Sequence, residues 1–177
     1  MNKIFSGTYT AIITPMNKSF SVDYNGFREL IDFQMNAKID GLVVLGTTGE
    51  TPTLTEREKR KLLDIAIERV NGKVPVIAGT GSNCTKTTIE YTKRAKAVSA
   101  DAALVVTPYY NKPNPSGLQM HYKAVANVGL PVILYNVAGR TGRNMTADEV
   151  QLLAKIHGVI GIKEASGNAE QIADVIE

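Results

Sequence analysis

A single lysine stands where a nucleophilic amine would be useful. Lys163 ends the apolar run of residues 159–162, so its aliphatic stem leaves a segment that favours burial. A partly desolvated ammonium group loses its proton more readily than an exposed one, and the amine can then attack a carbonyl carbon. The position therefore predicts a Schiff-base lysine. The alternative is a strand-end lysine that reaches solvent or pairs with Glu164.

Two further residues could act on a substrate bound to that amine. Tyr135 ends the apolar run before that of Lys163. Because neighbouring strands lie about 5 Å apart, its phenol could reach such a substrate, although a core tyrosine bonded to backbone would show the same pattern. Arg140 follows in a glycine-flanked loop, where a guanidinium could bind a carboxylate through two parallel hydrogen bonds or simply be solvated.

Hydroxyl groups follow two of the other apolar runs. Thr47 and Thr48 lie between Gly46 and Gly49, and this composition predicts a compact turn whose amides and hydroxyls suit a carboxylate. A plain turn that ends a strand is the alternative. Tyr110 lies in a polar, proline-containing loop that predicts either a pocket wall or a subunit contact.

The elements that must position these residues alternate along the chain. Short apolar runs, near-continuous rather than alternating, are typical of parallel strands covered on both faces. They occupy residues 9–13, 41–45, 74–78, 102–106, 131–135 and 159–163. In parallel α/β folds the reactive groups gather at the carboxyl ends of the strands, which is where the candidate residues stand.

The segments between the runs predict amphipathic helices. Three begin with capping-box spacing, in which a hydroxyl and a later acid or amide satisfy free backbone amides. The pairs are Thr55 and Glu58, Ser116 and Gln119, and Thr146 and Glu149. Each strand–helix unit takes about 30 residues, so residues 1–177 predict one domain of about six units. The sheet either curls into a barrel, which needs eight units, or opens into a doubly wound sheet.

Composition argues against several classes of protein. The net charge of +3, with acidic and basic residues interleaved, predicts no surface for nucleic acid or an anionic membrane. Cys84 is the only cysteine, which excludes an intrachain disulfide and a cysteine metal cluster. His121 and His157 stand apart and predict structural roles. No apolar run has the length of a signal-peptide core or a membrane span, so a cytoplasmic location is expected.

Together these segments resemble the dihydrodipicolinate synthase family, which is grouped with N-acetylneuraminate lyase among the pyruvate-dependent aldolases. The matching segments are residues 46–50, 75–81, 107–111, 135–137, 140–142 and 161–167, in order and at the family's spacing. The resemblance covers essentially the whole chain. It implies a parallel (β/α)8 TIM-barrel fold, of which the chain carries about the first six β/α units as a single incomplete domain.

The resemblance also implies a lyase reaction. Lys163 would condense with the keto carbon of pyruvate, and the enamine would attack L-aspartate 4-semialdehyde to form 4-hydroxy-tetrahydrodipicolinate, in the diaminopimelate route of lysine biosynthesis. Tyr135 would relay protons, coupled to Thr47 and to Tyr110 from a neighbouring subunit. Thr48, with Thr47, would hold the pyruvate carboxylate. No metal or organic cofactor is implied, because the imine itself is the electron sink.

The remaining implications concern binding and assembly. The glycines Gly46 and Gly49 would shape the pyruvate-binding turn, and Arg140 would bind the carboxylate of the second substrate. The family assembles as a homotetramer of tight dimers. Ala138 stands where the family commonly has proline, which leaves the functional groups of the Arg140 loop unchanged.

Three alternatives stay open. An N-acetylneuraminate lyase-like enzyme or a 2-keto-3-deoxy sugar-acid aldolase would keep the chemistry and change the aldehyde, although sialic-acid lyases usually carry an apolar residue at the place of Arg140. A catalytically silent, truncated barrel could act only in assembly. A doubly wound nucleotide-binding domain would need a phosphate loop, and the run from Gly79 to Gly81 lacks the third glycine of that motif.

Overall fold

The computed structural model describes residues 5–176, which fall into two compact units. The first unit runs to Gly79 and includes Ala97–Asp101, whereas the second contains Thr80–Lys96 and the chain from Ala102 onward. Each unit contributes three of the strands, and every observed strand pair within a unit is parallel. The single domain predicted over residues 1–177 stays a prediction.

The first unit pairs its strands in sequence order, with a helix after each of the first two. The strands are β1 (Tyr9–Ala11), β2 (Gly41–Val44) and β3 (Val76–Gly79), and the helices are α1 (Tyr24–Asn36) and α2 (Glu56–Val70). All four residues of β2 are buried, as expected for a strand covered on both faces.

The second unit repeats the alternation of strands and helices, and its strands also pair in sequence order. Its strands are β4 (Ala102–Val106), β5 (Val132–Asn136) and β6 (Val159–Glu164). Its helices are α3 (Thr85–Ala97), α4 (Pro115–Ala126), the short α5 (Ala138–Thr141), α6 (Ala147–Ala154) and α7 (Ala169–Ile176). Strand β6 is less buried than β4 and β5, and its Ile160 side chain is 49% exposed.

The predicted strands are found, with shifted ends that have physical causes. Strands β3 and β5 begin after Pro75 and Pro131, since proline has no amide hydrogen to enter the ladder. Strands β5 and β6 each extend one residue further than predicted, to Asn136 and Glu164, and the amide of Ala165 donates to the Asn136 carbonyl at 2.9 Å.

Two of the three predicted capping boxes are confirmed and one is wrong. Thr55 with Glu58 and Thr146 with Glu149 form both reciprocal bonds, at the starts of α2 and α6. Helix α4 instead begins after Asn114, whose side chain accepts from the amide of Gly117 at 2.8 Å. Proline suits the first helical position, so Pro115 moves the cap one residue before the proline.

The pairing of β5 with β6 contains a register shift of one residue. Val132 lies opposite Val159, but Ile133 lies opposite Gly161. The extra residue on β6 changes every later pairing, because a slip of one residue exchanges the faces of a strand. As a result Tyr135 lies opposite Lys163, whereas an unshifted ladder would place Tyr135 opposite Ile162.

Candidate active site

The amine of Lys163 lies against the ring of Tyr135 in the second unit. Its Nζ atom is 4.5 Å from the ring centroid, and the two residues are direct partners in the parallel pairing of β5 and β6. Tyr135 is 6% exposed and Lys163 is half-buried. The arrangement brings together a primary amine and a phenol at the carboxyl ends of adjacent strands.

The backbone of Tyr135 is fixed by the strand beside it. Both the amide nitrogen and the Oγ1 hydroxyl of Thr107 donate to the Tyr135 carbonyl, at 3.0 and 3.2 Å. Thr107 is fully buried and directly follows β4. Two hydrogen bonds to one buried carbonyl hold the end of β5 against β4, so the backbone that carries the Tyr135 phenol is fixed.

Next to these two residues lies a polar cluster that the sequence analysis did not find. The Asn136 side chain, which has no exposed surface, donates from Nδ2 to both carboxylate oxygens of Glu164, at 3.1 and 3.0 Å. The amide of Ser166 and the Nε2 atom of Gln171 donate to the same carboxylate, at 2.7 and 3.0 Å. Partial burial raises the pKa of Glu164, but these hydrogen bonds outweigh it and hold the pKa below its ordinary range.

This cluster excludes one of the alternatives predicted for Lys163, an ion pair with Glu164. Within the part of the chain that the structure describes, Glu164 forms no ion pair with Lys163 and instead binds Asn136, Ser166 and Gln171. Successive strand residues point to opposite faces, so the acid and the amine lie on different sides of β6. The sequence signal that could have indicated this cluster is the pair of dipeptides Tyr135-Asn136 and Lys163-Glu164, which end neighbouring strands.

Arg140 and Tyr110 lie in two loops of the second unit that are tied together. Arg140 is exposed on the short helix α5, and the carbonyl of the next residue, Thr141, accepts from the Tyr110 amide at 3.4 Å. Tyr110 is 88% exposed and has a positive φ of 71°. A side chain held outward on a strained backbone is a feature of functional loops.

A second arginine in this region was missed by the sequence analysis. Arg143 pairs with Glu149 through its two terminal guanidinium nitrogens, and its Nε atom donates to the Pro113 carbonyl at 3.1 Å. The hydrogen bond from Arg143 lowers the pKa of Glu149, and the carboxylate in turn raises that of Arg143. Arg143 therefore joins the loop of Tyr110 to the start of α6. Glu149 is only six residues from Arg143, but the Pro113 carbonyl is 30 residues away, so no local pattern indicated the connection to the Tyr110 loop.

The first unit holds the other predicted residues in one short loop after β2. Thr47, Thr48 and Gly49 form a 3-10 turn with both threonines exposed, and Gly46 precedes it. Gly49 is buried, and a Cβ atom there would lie 3.3 Å from the Ile12 carbonyl oxygen, so the position is close to full. The turn is suited to present hydroxyls and amides to an anion.

Hydroxyl-to-carbonyl bonds and left-handed residues shape this loop. Thr14 donates to the Gly49 carbonyl at 2.8 Å, and Thr51 donates to the Gly46 carbonyl at 3.0 Å. Leu45 and Glu50, on either side of the turn, have positive φ angles of 59° and 53°. Strain of this kind persists only where surrounding contacts enforce it, and it is concentrated at functional sites.

The eight predicted site residues thus fall into two sets. The second unit contains Lys163, Tyr135, Arg140 and Tyr110, and the first contains Thr47, Thr48, Gly46 and Gly49. The structure brings Lys163 into contact with Tyr135. The predicted coupling of Tyr135 to Thr47 joins residues of different units and stays a prediction, as do the individual roles of all eight residues.

The remaining titratable residues give no second centre. Among residues 5–176 there is no group of three or more His, Cys, Asp and Glu side chains that could hold a metal ion. His121 is buried in α4 with Nδ1 2.9 Å from the Thr85 hydroxyl, and burial lowers its pKa to about 4.

No described helix is long and apolar enough to cross a bilayer.

Comparison with known proteins decides the family. A model of the dihydrodipicolinate synthetase family matches residues 4–177. The chain belongs to this family. The 4-hydroxy-tetrahydrodipicolinate synthase of Syntrophotalea carbinolica is 51% identical over 174 residues, which is 98% of this chain and 59% of the relative. That of Protochlamydia amoebophila is 48% identical over 172 residues, which is 97% of this chain and 57% of the relative.

Solved structures of the dihydrodipicolinate synthetase family share the fold. A crystal structure of the chloride-inhibited dihydrodipicolinate synthase from Acinetobacter baumannii, complexed with pyruvate, matches with a TM-score of 0.94 at 44% identity. The match covers 96% of this chain and 59% of that chain. The predicted family and the predicted fold class, a parallel β/α barrel represented by six β/α units, are both confirmed. The chain spans about three fifths of the length of the curated relatives it matches.

Proposed function

We propose that the chain carries the Schiff-base centre of a lyase that condenses pyruvate with L-aspartate 4-semialdehyde to form 4-hydroxy-tetrahydrodipicolinate. The observation that carries the proposal is the contact between the Lys163 amine and the Tyr135 ring, 4.5 Å apart on neighbouring strands. Membership of the dihydrodipicolinate synthetase family and the pyruvate complex of the Acinetobacter baumannii relative support it. In this proposal the reaction belongs to the diaminopimelate route of lysine biosynthesis.

Lys163 would supply the nucleophile for the first half of the reaction. Its neutral amine attacks the keto carbon of pyruvate, and loss of water from the carbinolamine leaves an imine. Removal of a proton from the pyruvate methyl group gives an enamine, with the imine nitrogen as the electron sink. The phenol of Tyr135 would pass protons to and from these intermediates, and the position of its ring beside the amine supports this role.

The second half of the reaction joins the two carbon chains. The enamine carbon attacks the aldehyde carbon of the semialdehyde, and a proton neutralises the new alkoxide. The amino group of the semialdehyde then attacks the imine carbon, so ring closure releases Lys163 as a free amine. The proton carriers in this scheme are Tyr135 and, by the family resemblance, Thr47 of the same chain and Tyr110 of a neighbouring subunit. The scheme needs no metal or organic cofactor.

The two carboxylates of the substrates need separate partners. The exposed hydroxyls of Thr47 and Thr48, on a turn whose glycines Gly46 and Gly49 keep it compact, suit the pyruvate carboxylate. Arg140 suits the carboxylate of the semialdehyde, since a guanidinium can form two parallel bonds to it. An acidic aldehyde therefore fits this chain better than the polyol aldehyde of a sugar-acid lyase.

The assembly that goes with this function is a homotetramer of tight dimers. The 88% exposure of Tyr110 and its strained backbone support a role outside its own chain, as the family's arrangement implies for a tyrosine supplied to a neighbouring subunit. Analytical ultracentrifugation of the wild type and of Tyr110→Ala tests this: a loss of the dimer in the variant supports it, and an unchanged mass distribution contradicts it.

The centre can be tested by trapping its intermediate. Incubation with pyruvate and borohydride should reduce the imine to a stable secondary amine, and digestion with mass spectrometry should place the added mass on Lys163. A label on another lysine would mean that the centre is misassigned. No label on a folded chain would identify a catalytically silent barrel. A parallel incubation without pyruvate controls for non-specific reduction.

The second substrate needs its own test. Without borohydride, the chain should condense pyruvate with aspartate semialdehyde and not with aldehydes derived from sugars, because Arg140 would lack an anionic partner in the latter. Preferential use of a sugar-derived aldehyde would move the assignment to a sialic-acid or keto-deoxy sugar-acid lyase.

A further inference from the structure

One residue decides which side chain of β6 lies beside Tyr135. The ladder starts with Val132 opposite Val159, yet it ends with Tyr135 opposite Lys163, because β6 contains one residue more than β5 over the same span. Without that shift the apolar side chain of Ile162 would face the phenol. The contact between amine and phenol therefore depends on the register of β6 after Gly161.

Ile160 and Gly161, at the point of the register shift, lie open among the described residues. Ile160 is 49% exposed, and a Cβ atom built on Gly161 would meet no atom within 4 Å. Helix α7, which follows β6, has no buried residue. Within residues 5–176, the apolar contacts of these positions do not distinguish the shifted register from the unshifted one.

A side-chain clamp fixes β6 immediately after Lys163. The clamp consists of Asn136, Glu164 and Gln171, which belong to β5, β6 and α7. The Glu164 carboxylate accepts four hydrogen bonds of 2.7 to 3.1 Å from Asn136, Ser166 and Gln171. A slip of β6 by one residue would move this carboxylate to the other face of the sheet and break its two bonds to Asn136 on β5.

Asn136 is itself fixed, so the clamp has a firm anchor. Its Oδ1 atom accepts from the Met145 amide at 3.0 Å, and its Nδ2 atom also donates to Asn144 Oδ1 at 2.9 Å. Gln171 closes the cluster by donating to the Met145 carbonyl at 3.2 Å. Because Asn136 is completely buried, an unpaired amide there would be costly.

We infer that Glu164 is a positioning residue, whose carboxylate, clamped by Asn136 and Gln171, holds β6 in the shifted register that sets the Lys163 amine beside Tyr135. This inference rests on the proposed function, because the rate that it governs is imine formation at Lys163. Glu164 itself touches no reacting atom. It acts through the strand that carries the amine.

The test compares three variants of the full chain with the wild type in the pyruvate and borohydride experiment. Glu164→Gln keeps the shape of the side chain but turns one acceptor into a donor that faces other donors. Gln171→Met removes one donor from the clamp on a surface helix. Glu170→Gln is the matched control, since it removes an exposed negative charge one residue away from Gln171.

The readout separates positioning from folding. The labelling time course gives a rate constant for the folded molecules and a final labelled fraction, and circular dichroism gives the folded fraction. We expect Glu164→Gln to lower the rate constant about tenfold or more, as small displacements of reacting groups do, and Gln171→Met to lower it about threefold. Glu170→Gln should match the wild type. A merely structural role would reduce the labelled fraction and leave the rate constant unchanged.

The outcomes distinguish this inference from the proposed function. If the wild type is labelled at Lys163 and the Glu164→Gln variant is labelled at the same rate, the inference is overturned and the proposed function is not. A folded wild type that takes up no label at Lys163 overturns the proposed function and the inference with it. If Glu164→Gln does not fold, the rate constant of Gln171→Met decides: a wild-type value contradicts the clamp, and a reduced value with a full labelled fraction supports it.

Discussion

The loop after β2 in the first unit and the ends of β5 and β6 in the second hold their candidate residues by different means. Around Thr47 and Thr48, backbone carbonyls accept from the hydroxyls of Thr14 and Thr51, and the threonines themselves stay exposed. Around Lys163 the supports are charged and amide side chains that bond to one another across elements, such as Glu164 with Asn136.

The difference follows from what each region has to present. A turn that binds an anion offers backbone amides and short hydroxyls, whose positions are set once the backbone is set. A lysine amine lies at the end of a long flexible stem, so its position depends on strand register and on the surface against which it rests. In the proposed function, the first unit's loop therefore supplies groups that bind the pyruvate carboxylate, with Thr47 also in the proton relay, and the second unit's strand ends supply the amine and the phenol.

Removal of the amine should break this division most severely. Lys163→Ala should abolish borohydride labelling and lower turnover by about a thousandfold or more, because no other group can form the imine. Lys155→Ala, which removes an exposed lysine after α6, should leave both unchanged. Mass spectrometry and a coupled turnover assay give the two values. Residual labelling of the Lys163→Ala chain at another lysine would refute the division.

The Tyr135 hydroxyl should affect turnover but not the final extent of labelling at Lys163. Tyr135→Phe keeps the ring against the amine and removes the hydroxyl, so labelling should persist while turnover falls about a hundredfold, the lower end for a lost acid–base group. The control is Tyr122→Phe, which removes a buried hydroxyl that donates to the Val105 carbonyl at 3.0 Å. That variant should lose stability and keep its rate per folded molecule. Unchanged turnover in Tyr135→Phe would contradict a proton-relay role.

The side-chain supports of the second unit should give its stability a dependence on pH. Arg143→Met should lower the free energy of unfolding at pH 7 by about 2 kcal/mol, the range for a charged hydrogen bond. Arg143 lowers the pKa of Glu149 from its ordinary 4.5, so this contribution is complete above pH 4.5 and is lost as the pH falls through the lower, folded-state value. The urea midpoints of wild type and variant should converge below that range. A constant difference from pH 7 to pH 3 would show that the ion pair is not the cause.

The hydroxyl of Thr48 should affect binding alone. Thr48→Val should raise the half-saturating pyruvate concentration for labelling about tenfold, as expected for one lost hydrogen bond to a carboxylate, and leave the maximal rate unchanged. Thr48→Ser keeps the hydroxyl and should behave as the wild type. A fall in maximal rate with unchanged half-saturation would place the residue in the chemistry instead.

The smallest effect is expected at the start of α2. Thr55→Ala should lower the free energy of unfolding by about 1 kcal/mol, because the capping box loses its hydroxyl acceptor, and it should leave labelling at Lys163 unchanged. Thr55→Ser serves as the control. Thermal denaturation followed by circular dichroism measures the difference, and a change in labelling rate would show that this helix start is coupled to the chemistry.

Much of the fold was predictable because its signals are local. The apolar runs, the capping boxes at Thr55 and Thr146, and the polar residues after each strand are patterns within a few residues of one another, and the strands and two helix starts were predicted from them. The error at Ser116 has the same origin, since a capping-box pattern was preferred to the stronger effect of Pro115 at the first helical position.

The supports of the candidate site were not predictable in the same way. Asn136 meets Glu164 across 28 positions of sequence, and Arg143 meets Pro113 across 30. The one-residue shift between β5 and β6 leaves no mark in either strand's pattern. Lys163 and Tyr135 could be selected as candidates, but the reason that they face each other lies in these long-range contacts.

The left-handed backbone at Glu50 and Lys112, with φ angles of 53° and 42°, matters for protein engineering. A residue with a Cβ atom in that conformation carries a strain of about 1–2 kcal/mol, somewhat more than the roughly 0.5–1 kcal/mol of chain entropy that glycine costs. Glycine at either position should therefore make the chain more resistant to heat, whereas proline cannot adopt these angles at all. The same substitution would make each loop more flexible, so a gain in heat resistance at either position would come with a less rigid loop.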